Sequence, residues 1–351
     1  NRQLFLNHQA QTSDAPLMLE IEKAEGVFLF DTNGKKYIDL IAGISVSNLG
    51  HRHPKVLEAI KKQLDHYTYL MVYGEYVLAP QAKFAGLLTE NLPPSLDSVY
   101  FVNSGAEAVE GALKLAKRTT GRSEIVAFKN SYHGNTHGAL SVSGGDFYRA
   151  PFEPLLPKVR HLDYNNFDQL QQISKQTACV IAEPIQAEAG VINPEKRFLK
   201  ALKKRCEETG ALLILDEIQT GFGRTGSLFA FEQSGIIPDI LLLAKGFGGG
   251  MPLGAFISSK EKTNIFTHDP PLGHITTFGG HPVSCAAGLA TLEVLLEKNH
   301  IGLVKEKEKL FHERLLHPAI KAIRSGGLIM AVELESNEKV LKTIQGCLEK
   351  G

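Results

Sequence analysis

Short runs of uninterrupted apolar residues recur along the chain at 99–102, 125–128, 178–182, 211–215 and 240–244. Being apolar at nearly every position rather than at alternate ones, they read as strands covered on both faces, the condition of strands in a parallel sheet. The stretches between them are long enough for helices, which predicts an α/β chain with a mostly parallel central sheet and helices on both faces. After the first run, Val109, Leu113 and Ala116 share one helical face, with Glu107 and Glu110 early and Lys114, Lys117 and Arg118 late, the order the helix dipole favours. Val27-Phe28-Leu29-Phe30 and Lys36-Tyr37-Ile38-Asp39 flank Asn33-Gly34 as a hairpin. A helical pattern covers Ser284–Lys298, followed later by a strand-like Ile329–Leu334 and one more helical stretch. The expected organisation is an N-terminal segment of a smaller domain (1–45), a large domain (46–282) and a C-terminal small α+β domain (283–351).

Ligands of such sheets bind beyond the carboxyl ends of the strands. Lys245 stands directly after the run 240–244 and directly before Gly246-Phe247-Gly248-Gly249-Gly250, while Asp216 and Glu217 follow the run 211–215. A lysine in that position is a poor way to stabilise a fold and a good nucleophile toward a carbonyl compound. One strand-end amine and one strand-end carboxylate are the fixed points that pyridoxal phosphate requires, the first for its aldehyde and the second to keep its ring nitrogen protonated. Ser104-Gly105-Ala106-Glu107 is an S-x-x-E capping box, and the free amides of Gly105 and Ala106 at that helix start would bind a phosphate. Taken singly, a capped helix or a charged strand terminus is ordinary. Together with Tyr132-His133-Gly134 and Glu183, which also fall just past strand ends, they mark one site. A rival motif, Gly221-Phe222-Gly223-Arg224-Thr225-Gly226, matches the dinucleotide fingerprint, but residues 216–220 separate it from the strand and no long helix follows it, so that reading is set aside.

The segment Asp216-Glu217-Ile218-Gln219-Thr220-Gly221-Phe222-Gly223-Arg224-Thr225-Gly226, then Lys245, then Thr276-Thr277-Phe278-Gly279-Gly280 resembles the class III aminotransferases. These are fold-type I pyridoxal phosphate enzymes that include the acetylornithine, ornithine and 4-aminobutyrate aminotransferases. The resemblance implies that Lys245 bonds the cofactor aldehyde and moves the proton in a ping-pong transamination, while Asp216 pairs with the ring nitrogen. It further implies that Gln219 meets the ring hydroxyl, that Ile218 and Tyr132 cover the ring with His133 nearby, and that Thr277 reaches the phosphate in the neighbouring subunit of a homodimer. Glu188 resembles the glutamate that releases a distal arginine, here Arg324, to bind a substrate carboxylate, as a guanidinium fork is suited to do. Many relatives carry an arginine after Tyr-His-Gly; this chain has Asn135, which brings hydrogen bonds and no charge. The expected reaction moves an ω-amino group, from ornithine or acylated ornithine, to 2-oxoglutarate, with a place in arginine biosynthesis. The alternatives are 4-aminobutyrate or another ω-amino acid as donor, or an aminomutase or lyase on the same site. Relatives usually continue past the last elements seen here, so a truncated C-terminus is expected.

Composition narrows the remaining classes. With 38 basic and 38 acidic side chains there is no electrostatic case for nucleic acid or an anionic membrane. Cys179, Cys206, Cys285 and Cys347 lie far apart without metal-ligand spacing, and His51 and His53 stand in a Gly-His-Arg-His-Pro turn without a partner cluster, so no metal is expected. No apolar stretch approaches a membrane span and the N-terminal residues are too polar for a secretory signal, which makes the cytoplasm the expected compartment.

Overall fold

The computed structural model describes residues 1–297 and 299–351. Three sheets form in it. The first is a three-stranded antiparallel meander of β1 (Ile21–Glu25), β2 (Phe28–Asp31) and β3 (Lys36–Ile38), with Phe28 opposite Ile38 in the hairpin read from the sequence.

The second and largest sheet comprises β4 (Ser98–Val102), β5 (Glu124–Phe128), β6 (Val159–Leu162), β7 (Thr177–Ala182), β8 (Leu212–Asp216), β9 (Ile240–Leu243) and β10 (Gly254–Ser258). These seven strands lie in the order β4-β10-β9-β8-β7-β5-β6, and β10 alone runs opposite to the other six. Successive residues point to opposite faces, so each strand feeds two cores. Val126, Phe128, Val180, Leu213, Leu215, Leu241 and Leu243 face one core with Phe84, Phe198 and Leu202; Ile125, Ala127, Cys179, Ile181, Ile214 and Leu242 face the other with Val109, Ala112 and Leu115. Both faces are thus covered by helices, which is why these strands read as continuous apolar runs.

The third sheet is the hairpin β11 (Ile320–Gly326) and β12 (Ile329–Leu334), closed by Gly327-Leu328 and followed by the helix Asn337–Lys350. The helix Pro282–Glu297 is largely buried and packs on helices Pro54–His66 and Ala79–Glu90 and on the turn that carries Lys245. Its sequence pattern runs on to Lys298, which lies outside the described residues. No described helix is long and apolar enough to cross a membrane.

Candidate active site

Because β10 is antiparallel to both β4 and β9, the carboxyl ends of β4, β5, β7, β8 and β9 all emerge on one edge of the sheet. A cavity of about 490 Å³ opens there. Its lining brings together Ser104, Gly105, Ala106, Tyr132, His133, Asn135, Glu183, Asp216, Ile218, Gln219 and Lys245. Three other residues singled out in the sequence stand apart from that lining: Glu188, Arg324 and Thr277.

Asp216 ends β8 and is buried. One of its carboxylate oxygens accepts the backbone N–H of Ile218 at 3.0 Å, and the other lies 2.6 Å from His133 Nδ1. The His133 ring is buried too, and its Nε2 has no hydrogen-bond partner. The loop that delivers His133 turns at Gly134, where φ is +124° and a Cβ would come within 2.8 Å of the Ala106 Cβ. Glycine is what lets this loop lie against the helix that starts at Gly105.

Lys245 follows β9 with φ +53°, a left-handed conformation uncommon for a side chain with a Cβ. Burial lowers the affinity of its amine for a proton, and the carboxylates of Asp216, Glu188 and Glu183 pull in the opposite direction. The result is an amine below its ordinary range beside three carboxylates. Glu183 is itself buried, which drives its carboxyl well above the usual range despite an N–H donated by Tyr132 at 3.3 Å.

The helix Gly105–Thr120 begins as its charge order predicts. Ser104 Oγ accepts the Glu107 N–H at 3.2 Å, and the Glu107 carboxylate accepts from the backbone N–H and side-chain amide of Asn103, each at 2.8 Å. The box therefore closes one residue earlier than the standard pattern, on Asn103 rather than on Ser104. The first amides of the helix, Gly105 and Ala106, have no acceptor within it and line the cavity.

At the rim, Gln219 Nε2 donates to Glu188 Oε1 at 2.6 Å. Arg324 is not paired with Glu188: its Nε donates to the carbonyl of Gly190 at 2.6 Å and its Nη1 to Glu333 at 2.5 Å. Thr277 lies exposed on the loop between the turn Asn264–Thr267 and the helix Pro282–Glu297, and its carbonyl accepts the Tyr69 hydroxyl at 2.7 Å. Among the described residues no cluster of His, Cys, Asp or Glu could hold a metal ion.

Sequence reasoning did not anticipate Val46, Met251 and Pro252 in the lining, nor Glu333 beside Arg324. The first three carry no polar signal. Glu333 was legible in principle, since a two-residue turn at Gly327-Leu328 sets Arg324 opposite Ala331 and makes Glu333 its diagonal neighbour on the same face.

An amine whose proton affinity burial lowers, a fixed carboxylate, an unpartnered buried imidazole and a row of free amides suit a flat, anionic, carbonyl-bearing group. These residues fit pyridoxal phosphate. The comparisons agree: the family description "Aminotransferase class-III" matches residues 9–351. The chain belongs to that family of pyridoxal phosphate-dependent transaminases. It is 44% identical over 321 residues to the acetylornithine aminotransferase of Methanopyrus kandleri, covering 90% of this chain and 80% of that one. To the [LysW]-aminoadipate semialdehyde/glutamate semialdehyde transaminase of Sulfurisphaera tokodaii it is 42% identical, covering 90% and 82%. Among solved structures, the ornithine aminotransferase of Toxoplasma gondii superimposes with a TM-score of 0.89 at 31% identity, covering 95% of this chain and 81% of that one.

Proposed function

We propose that this aminotransferase takes the ω-amino group of a carboxylated donor, ornithine or acylated ornithine, and passes it to 2-oxoglutarate. The observation that carries the reading is the distribution of charge. Among the described residues lining the cavity Lys245 is the one lysine or arginine, Asn135 is neutral, and Arg324, the guanidinium that the resemblance points to, is held outside that lining on the Gly190 carbonyl. A substrate with its amine at Lys245 and its carboxylate at Arg324 must separate the two groups along its length, which favours an ω-amine over an α-amine. The relatives named for acetylornithine, ornithine and glutamate semialdehyde share that kind of molecule.

In this reading Lys245 holds the cofactor aldehyde, Asp216 its ring nitrogen, and Gln219 its ring hydroxyl, while Ser104, Gly105 and Ala106 receive the phosphate. Tyr132, His133, Ile218 and Glu183 complete the enclosure. Bound pyridoxal phosphate supplies the electron sink that allows a carbon–hydrogen bond next to the amine to break. Lys245 Nζ, with its proton affinity lowered by burial, accepts that proton and returns it. His133 and the Ile218 N–H keep the Asp216 carboxylate in one orientation. Thr277, exposed on its loop, serves the phosphate site of a second copy in a homodimer. The enzyme works in the cytoplasm, in keeping with four free cysteines.

The test is a visible absorption titration of the holoenzyme with ornithine, N-acetylornithine, N-succinylornithine, 4-aminobutyrate and lysine in turn. One ω-amino donor is expected to shift the cofactor band, and 2-oxoglutarate to restore it. A band that no donor shifts would overturn the proposal.

A further inference from the structure

We propose that Glu183 is a positioning residue, an uncharged hydrogen-bonding group that holds the Tyr132 loop and the rim loop 184–190 over the cavity, rather than a second counter-charge beside Asp216. This rests on the reading of Tyr132 as the cover of the cofactor ring. β7 and β8 are parallel neighbours with Ala182 opposite Leu215, so Glu183 and Asp216 leave the sheet side by side. Both are buried and both line the cavity.

The two carboxyl groups have different partners. Asp216 has His133 Nδ1 at 2.6 Å and the Ile218 N–H at 3.0 Å. Glu183 has the Tyr132 N–H at 3.3 Å and, as a second backbone donor, the Ala187 N–H. Two negative charges side by side in a buried site are far costlier than one, and the group with the shorter contacts is the better place for the single charge. The other charged groups that face Glu183 are Glu188, which opposes a further negative charge, and Lys245. Burial, reinforced by the Asp216 charge, therefore keeps the proton on Glu183. A neutral carboxyl still accepts both N–H groups and gains an O–H to donate.

Those two N–H groups belong to the loops that close the cavity. Tyr132 lines it with a partly exposed ring, and the rim loop runs through Ala187 to Glu188, whose Oε1 accepts the Gln219 amide at 2.6 Å. The root of the rim loop is pinned as well, since the Tyr164 hydroxyl lies 3.0 Å from the Glu183 carbonyl and 3.2 Å from that of Pro184. One side chain thus sets the spacing of two loops that approach the same ligand.

The experiment measures the Kd of pyridoxal phosphate for the apoprotein by fluorescence titration, with circular dichroism of the bound cofactor band reporting ring orientation. Glu183→Ala is expected to raise Kd by about tenfold and to change the dichroic band, because two backbone N–H groups lose their acceptor. Glu183→Gln is neutral and keeps both an acceptor and a donor, so it is expected to recover most of both losses. Glu183→Asp keeps a carboxyl but draws it back by one methylene, and is expected to stay near the alanine variant. Combined with Tyr132→Ala, Glu183→Ala is expected to add less than its separate loss. Tighter binding by Glu183→Gln than by Glu183→Asp is the deciding order, whether or not Glu183→Ala folds. The inference is overturned if Glu183→Gln binds as weakly as Glu183→Ala or Glu183→Asp, since the charge is then what matters, and equally if Glu183→Ala binds as the wild type does. If Tyr132→Ala leaves Kd unchanged, the covering role of Tyr132 fails and this inference with it. The donor class, which the absorption titration tests, stands in every case.

Discussion

Asp216 and Glu217 are adjacent carboxylates at the end of one strand, and the alternation of side chains sends them to opposite tasks. Asp216 turns to the cavity. Glu217 turns into the protein, where its oxygens accept the N–H groups of Ala230 and Phe231, each at 2.7 Å, and close the loop 217–231 on itself. Burial pushes the Glu217 carboxyl up to about 7 against those two N–H donors. The folded state thus keeps a proton that the unfolded chain has given up, and this group's contribution to stability is full below 4.5 and declines as pH rises toward 7. Glu217→Gln is expected to remove that decline from the pH dependence of Tm. It should also cost about 1–3 kcal/mol below pH 4.5, because an amide offers only one acceptor to two buried N–H groups. A variant melting curve with the wild-type pH slope would refute the assignment. For Lys245 the expectation is sharper: Lys245→Ala should reduce turnover by at least about 10³-fold, since it removes both the covalent anchor and the proton carrier, with Tm little changed.

At the scale of elements, the helix Gly105–Thr120 links stability to ligand binding. Its first turn carries the Ser104 cap, and its first amides line the cavity. Ser104→Ala should cost about 1 kcal/mol in thermal stability of the apoprotein, the usual worth of such a cap, and also weaken pyridoxal phosphate binding in a fluorescence titration. A loss of stability without a loss of affinity would separate the cap from the phosphate site. What the sequence disclosed of the elements follows their burial. β5, β7, β8 and β9 are covered on both faces and stood out as apolar runs. β6 did not: it is an edge strand like β4, but Arg160 and His161 break its apolar run, and of Val159-Arg160-His161-Leu162 only Leu162 is buried. β10 is fully buried, yet it opens on a glycine and follows Gly248–Pro252, so only Ala255-Phe256-Ile257 signals a strand. The strand-end residues of the site were legible for the same reason that the strands were. The Gln219–Glu188 and Arg324–Glu333 contacts were not, because each depends on where separate segments meet.

Over the whole molecule, apolar side chains remain outside both cores. Leu40, Ile41 and Ile44 on one segment, Tyr76 and Val77 on another, and Ile275 and Phe278 beside Thr277 are all exposed. Phe278 packs against Tyr69 with the two rings tilted at 55° and their centroids 5.0 Å apart, and the Tyr69 hydroxyl donates to the Thr277 carbonyl, so this loop has a defined shape as well as an apolar surface. Large apolar residues in such number suit a face that another protein surface covers, and a second copy of the chain is the partner that the proposed role of Thr277 requires. If Thr277 serves the neighbouring site, Thr277→Glu should prevent cofactor loading by placing a carboxylate against the phosphate, while Lys245→Ala disables only the site in its own subunit. Neither homodimer should turn over. Mixing the two variants under conditions that exchange subunits should then form hybrids in which the Lys245→Ala subunit lends its intact Thr277 to the partner's intact lysine. With random pairing, half the dimers are hybrids and each has one working site, so activity should return to about a quarter of the wild type. Mixed variants that stay inactive despite subunit exchange would show that Thr277 acts within its own subunit, or on no cofactor at all.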